Sequence, residues 1–464
     1  MIQAIRASIA IVVSRWVATV LRWTGRAGTS LPGLVATRIS PQLVHRLLRQ
    51  LDTCVLVTGT NGKTTTTEYL HALLSQDADR WLVNRGGANL LQGLLAALLT
   101  VSDARGRLRI RRAVLEVDEA TLPLIAQSAH PRLVVLTNVM RDQLDRYGEI
   151  DQTLALLNRG LSDPSVTLVA NADDPLCAAL AEGRMDTVLY GFSSEVATPG
   201  CPDGVRDGAF CLKCGAELTY AGYFYGQFGM YECGHCGFGR VEPHFTGRVS
   251  SCDGFRQLEV EEVARRTSIQ YSVALGLSGL YNAYNLLAAV AAARTLGVAP
   301  DRLNEGVARF SPPIGRMQVF PGDPESVLAL IKNPAGANSV LRALIQDPRE
   351  MAVCFAINDQ DADGRDVSWL WDVDVEDFVA TVTCQRFYCA GTRAADMALR
   401  LAYAGVPRER VTVLAALDDV TGIACGGQVQ VLYVLSTYTA LHPLAERLPR
   451  RLGLRRMVSE EVHA

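Results

Sequence analysis

Thr53-Cys54-Val55-Leu56-Val57-Thr58-Gly59-Thr60-Asn61-Gly62-Lys63-Thr64-Thr65 decides how this chain is read. An apolar run, Cys54–Val57, precedes a glycine turn, and a helix-like segment follows over 66–74. Strand, glycine turn and helix bring backbone N–H groups and a helix N-terminus to one point, which suits a phosphate. Gly59 and Gly62 allow close backbone approach, Lys63 would reach the terminal phosphates, and the Thr64 hydroxyl would ligate Mg²⁺. Val57 stands where the strict Walker A pattern has glycine, so the shorter Gly-Thr-Asn-Gly-Lys-Thr form applies.

The 464 residues hold two or three domains, with 49% hydrophobic and 20% charged residues, as in a globular protein with sizeable cores. Net charge is −3, which gives no general argument for nucleic-acid binding. Around the loop, strand-like runs at 55–57, 113–117, 133–136, 167–170 and 187–190 alternate with helical patterns at 90–100 and 153–161. That alternation predicts a parallel α/β sheet. An Ala/Leu-rich helix is expected over 281–296 and a hinge at 311–315. Strand candidates at 327–332, 352–357, 381–389, 411–415 and 430–435 predict a second α/β domain. The organisation is an N-terminal helical segment (1–50), a nucleotide-binding domain (51–312) and a C-terminal α/β domain (313–464). The N-terminal segment, apolar but broken by Arg6, Arg15 and Arg22, reads as an amphipathic helix, either packed on the first domain or lying on a membrane surface.

The stretch from about 198 to 255 breaks the alternation. Cys211-x₂-Cys214 and Cys233-x₂-Cys236, 18 residues apart, have zinc-ribbon spacing. Four thiolates close a tetrahedral Zn²⁺ site, so the ion would be structural and would hold together an insertion too small for a core of its own. His235 lies inside the second knuckle. Cys354, Cys384, Cys389 and Cys425 read as core thiols.

Glu116 ends a predicted strand on the face of the phosphate loop and is the first candidate, with Thr64, for Mg²⁺. Asn138, Asp142 and Asp145 open a loop after the next strand. Asp363 and Asp366 lie in a carboxylate-dense loop.

With Thr137-Asn138…Asp142-Gln143-Leu144-Asp145, Asn171-Ala172-Asp173-Asp174-Pro175, Tyr281-Asn282-Ala283-Tyr284-Asn285 and Gly315-Arg316-Met317 in order behind the phosphate loop, the chain resembles the Mur ligases. The Cys₄ insertion and Asp363-Gly364-Arg365-Asp366-Val367-Ser368-Trp369 narrow the resemblance to their MurT family, the synthetase subunits of lipid II isoglutaminyl synthases. The resemblance implies ATP-dependent amidation of the α-carboxyl of D-glutamate in lipid II through an acyl phosphate. It also implies ammonia from a separate GatD-like class I glutaminase, in a heterodimer on the cytoplasmic side of the membrane. It implies that Gly59, Thr60, Asn61, Gly62, Lys63, Thr64 and Thr65 hold ATP, that Asn282 and Asn285 flank adenine, and that Arg316 serves the acyl phosphate. Lys332-Asn333-Pro334 would close over nucleotide, residues 84–89 would line the substrate cleft, and Asp366, or alternatively Asp363, would orient the glutaminase histidine. Gln143 and Tyr281 stand where ordinary Mur ligases carry histidine, and no lysine suits carbamylation. A Mur- or folylpolyglutamate-synthase-like amino-acid ligase and a non-catalytic nucleotide-binding scaffold are the competing readings.

Overall fold

The structure is a computed structural model describing residues 2–23, 30–76, 80–85, 87–141, 150–200, 207–252, 255–264, 267–423 and 429–451. Gly86, Asp142, Gln143, Asp145 and Cys425 lie outside the described residues. Strands β1 (Thr53–Thr58), β2 (Leu82–Val83), β3 (Arg112–Glu116), β4 (Leu133–Leu136), β5 (Thr167–Asn171) and β6 (Thr187–Phe192) are parallel. Their apolar runs are buried on both faces, as helices cover each side. β3 and β4 flank β1, so the chain turns to opposite sides of β1. In an open α/β sheet, ligands bind at the carboxyl ends beside such a point.

A small antiparallel sheet follows: β7 (Thr198–Pro199), β8 (Thr219–Tyr225) and β9 (Phe228–Glu232). The chain then returns as β10 (Phe245–Cys252), β11 (Phe255–Ala264) and β12 (Thr267–Ala274). β10 runs parallel to β6, while β11 and β12 add antiparallel edge strands, giving nine strands in all. The expected insertion therefore gives up its last part, from Phe245 on, to the main sheet. The sequence reading passed over these strands, of which β12 is exposed along most of its length.

Nor is the insertion without apolar packing. Leu218, Tyr220, Tyr231 and Phe238 cluster with Cys211, Cys233 and Ala178. Phe224 and Phe228 join the main core around Tyr284. The helix Leu280–Thr295 packs on the sheet beside the helix Lys63–Leu74, and twelve of its sixteen residues are buried. Alanines at half of these positions let the two helices approach.

The C-terminal domain is a six-stranded sheet: β13 (Gln318–Phe320), β14 (Glu325–Leu330), β15 (Met351–Ala356), β16 (Cys384–Ala390), β17 (Val411–Val413) and β18 (Val431–Ser436). All are parallel except β13 on β14. Residues 381–383, expected in β16, finish a helix and its turn instead. Cys354, Cys384 and Cys389 are buried; burial raises each thiol, Cys384 and Cys389 to about 12. Among the described residues no helix is long and apolar enough to cross a membrane.

Candidate functional site

The loop after β1 turns through Gly59 and Gly62, both at positive φ, into the helix Lys63–Leu74. A Cβ on Gly62 would lie 2.1 Å from Asn285 Oδ1, so only glycine fits. The segment after β4 braces the loop. Asn138 Oδ1 accepts from Asn61 N at 2.9 Å and its Nδ2 donates to Asn61 O at 2.9 Å. Thr137 Oγ1 donates to Asn61 O at 2.8 Å. Thr60 exchanges hydrogen bonds with Met140 through its hydroxyl, at 3.0 Å each way. The Thr60 and Asn61 amides are thus engaged within the protein, and the anion-facing donors are those of the first helical turn, 62–65.

Lys63 is buried, its ammonium 3.2 Å from Glu119 Oε1 and bonded also to the carbonyls of Gly59 and Thr60. Burial pushes the Glu119 carboxyl above its ordinary range against the pull of Lys63. In the sequence Glu119 ends the acidic stretch Leu115–Glu119, of which Glu116 is the first candidate for Mg²⁺; its pairing with Lys63 appears only in the structure. Glu116, at the end of β3, accepts from Asn89 Nδ2 at 3.1 Å through Oε1, while its buried Oε2 has no hydrogen-bond partner. The buried Thr65 hydroxyl is likewise unpartnered. Such orphaned oxygens are costly unless a ligand meets them. Thr64 is half-buried in the first turn. A triphosphate with Mg²⁺ fits this chemistry: a buried cation, the amides of a helix N-terminus, a hydroxyl and an unsatisfied carboxylate oxygen.

Of the stretch expected to line the substrate cleft, Asn84 and Asn89 hold Glu116. Asn84 exchanges hydrogen bonds with its backbone at 2.8 Å each way. Arg316 faces Glu116 and Tyr281; burial lowers its pKa and those two oppose the shift. Tyr438, missed from sequence, is brought near Glu116 by the C-terminal domain, and burial raises its phenol. Asn285 lies on the phosphate side, against Gly62 and within 3.4 Å of Thr66 Oγ1. Asn282 is buried behind it, donating to Ser278 O at 2.7 Å.

The C-terminal domain meets the loop directly. Asn333 and Asn61 exchange amide hydrogen bonds at 3.2 and 3.3 Å. Asn333 also caps the helix Pro334–Ile345 through Gly336 N. Lys332, Asn333, Met140, Tyr225 and Trp369 border a crevice between the domains, and Asp366 stands on its wall. Asp366 is exposed, and a hydrogen bond from Ser368 N lowers its pKa. Asp363 is buried and committed: it accepts from Thr439 N at 2.7 Å, the Thr439 hydroxyl and Gln360 N.

Cys211, Cys214, Cys233 and Cys236 bring four sulfurs within 4.8 Å of one another. Two separations are 3.5 and 3.6 Å, close to the roughly 3.8 Å edge of a tetrahedral Zn–S₄ centre. Gly215 and Gly237, both left-handed, close matching turns onto Cys211 O and Cys233 O. Backbone N–H groups of Cys236 and His235 pull the Cys233 thiol down to about 6. His235 is exposed and outside the cluster. The donors fit Zn²⁺.

The sequence matches the Mur ligase middle domain over residues 57–201 and the MurT ligase C-terminal domain over 330–441. It is 32% identical, over 92% of its length and 94% of the relative's, to the lipid II isoglutaminyl synthase (glutamine-hydrolyzing) subunit MurT of Staphylococcus aureus strain COL. It is 33% identical, over 94% and 96%, to the same subunit of Streptococcus pneumoniae R6. A pseudomurein peptide ligase type C from Methanothermus fervidus shares the fold, with TM-score 0.64, 22% identity and coverage of 86% and 78%. The chain belongs to the MurT family, within the Mur ligases.

Proposed function

We propose that this MurT-family chain is the synthetase subunit of a lipid II isoglutaminyl synthase. It would amidate the D-glutamate α-carboxyl of the lipid II stem peptide, at the cytoplasmic face of the membrane, with ammonia from a GatD-like glutaminase. The observation that carries this reading is the carboxyl end of β1 and β3: the buried Lys63 ammonium is held by Glu119, and Glu116, at the end of β3, keeps a buried oxygen with no hydrogen-bond partner. In the reaction the γ-phosphoryl of ATP passes to the α-carboxylate and ADP leaves. Ammonia then attacks the acyl carbon, phosphate departs, and the nitrogen sheds a proton.

Lys63 and the amides of the first helical turn would hold the phosphates and neutralise charge as it moves. Thr64 and Glu116 would hold Mg²⁺, which when bound adds a Lewis acid to the phosphoryl oxygens. Arg316, opposite Glu116, would meet the acyl phosphate. The four cysteines would hold Zn²⁺ with every position filled by protein, which suits a structural role.

Asp366 is the better placed of the two candidates for the partner's active site, because it is exposed while Asp363 is consumed by Thr439. Asp366→Asn is expected to cut glutamine-dependent amidation on the order of 10²-fold and leave ammonium-dependent amidation intact. Equal loss in both assays would remove that role.

The decisive test is mass spectrometry of lipid II incubated with the chain, ATP, Mg²⁺ and ammonium. Product lighter by the difference between carboxyl and carboxamide is expected, and glutamine should replace ammonium only when a glutaminase is added. A product heavier by one amino-acid residue, with amino acids supplied, would transfer the chain to the amino-acid-adding ligases.

A further inference from the structure

The N-terminal helix Ile2–Trp23 packs with one face and leaves the other bare. Ala7, Ala10, Ile11 and Ser14 are buried. Arg15 Nη2 donates to Leu99 O at 3.3 Å and to Ser102 O, which fixes the helix's rotation on the domain. On the opposite side Ile5, Ile9, Val12, Trp16, Val20 and Trp23 form one stripe at helical spacing, all exposed. It runs about 27 Å, and its two tryptophans are 74% and 85% exposed. A continuous apolar face of this length marks an interaction surface.

Charge identifies the occupant. Residues 1–51 hold seven arginines and no lysine, aspartate or glutamate, so they carry +7 in a chain of net −3, and the remainder carries −10. Arg6 is exposed on the helix itself. The loop 103–111 abuts it, because a Cβ on Gly106 would lie 3.3 Å from Ile11 Cδ1. That loop exposes Arg105, Arg107 and Arg109, and Arg46 Nη2 donates to Arg105 O at 3.1 Å. Two copies joined through this face would bring arginine rims together, a like-charge penalty. An apolar stripe with tryptophans and an arginine rim matches an anionic lipid surface.

We infer that this face is a bilayer-docking site: the helix lies in the membrane plane, its stripe at the acyl boundary and its arginines among anionic headgroups. The inference stands on the surface alone and does not depend on the amidation reading. If both hold, it brings the catalytic cleft to a lipid-borne substrate.

The test is co-sedimentation of the full chain with phosphatidylglycerol–phosphatidylcholine vesicles. Binding is expected, about 10-fold or more weaker on phosphatidylcholine alone or in high salt. Trp16→Ser with Trp23→Ser should weaken it about 10-fold or more at unchanged melting temperature. Arg105→Glu with Arg107→Glu should weaken it only on the anionic vesicles. ATP turnover with a water-soluble stem-peptide substrate should be the same in all variants. The inference fails if the chain stays in the supernatant with anionic vesicles, or if the tryptophan variant binds as the parent does. It also fails if the chain forms dimers that the tryptophan changes dissolve while vesicles capture nothing, which would make the stripe a contact between copies.

Discussion

Two buried ion pairs, Lys63–Glu119 and Arg240–Asp173, sit in the same domain and answer to different demands. Asp173 accepts from Arg240 Nε at 2.7 Å, Tyr284 Oη at 2.5 Å and Phe192 N at 2.7 Å, and Arg240 Nη2 reaches Phe192 O at 2.7 Å. That pair is saturated and clips the end of the Cys₄ insertion to the main sheet. Lys63–Glu119 is nearly as enclosed, but the same loop and strand end carry buried oxygens, of Glu116 and Thr65, that have no hydrogen-bond partner. A saturated pair holds architecture together. A charge kept beside unsatisfied groups is set to meet a ligand, because the unmet hydrogen bonds are a cost that only binding removes.

The sharpest way to break this contrast is Lys63→Ala. It should lower ATP turnover on the order of 10⁴-fold while the fold persists by circular dichroism. Retained turnover would remove the phosphate-loop assignment. Arg240→Met should do the reverse. It leaves Asp173 buried without its cation, at a cost of about 3–5 kcal/mol in denaturant unfolding. Turnover per folded molecule should hold, and a loss of turnover at full stability would put Arg240 in the chemistry. Cys233→Ser extends the architectural side. Zinc, at about one per chain in the parent, should disappear by metal analysis, with earlier unfolding of the insertion. A metal-free parent that folds would end the zinc reading. The smallest effect belongs to Asn333→Ala, which removes an interdomain amide pair and a helix cap. It should cost about 1 kcal/mol, read as a several-fold higher KM for ATP with kcat nearly kept. A fall in kcat alone would mean that Asn333 acts in the chemical step.

Local signals carried far in the sequence where several neighbouring residues agreed. The glycine turn between an apolar strand and a helix is a property of 53–74 by themselves, and so is the paired Cys-x₂-Cys spacing. Both appear where expected, as do the parallel strands with unbroken apolar runs. The strands β10, β11 and β12 escaped although apolar and polar residues alternate along β12; they follow the cysteine-rich stretch, and only pairing onto β6 assigns them to the main sheet. Within the site, the bonds that brace the asparagines were not legible locally. Asn84 and Asn89 hold Glu116, and Asn61 pairs with Asn333, a residue 272 positions away.

By itself, then, the sequence determined the phosphate loop, the thiol cluster, the alternating domains and the family, because each is written in short-range spacing or in many positions matched in order. Tertiary structure alone decided which charge faces Lys63, which of Asp363 and Asp366 remains exposed, and which face of the first helix is left bare. Those outcomes depend on what distant strands and helices bring within hydrogen-bond reach, about 3 Å, and no local pattern encodes that distance.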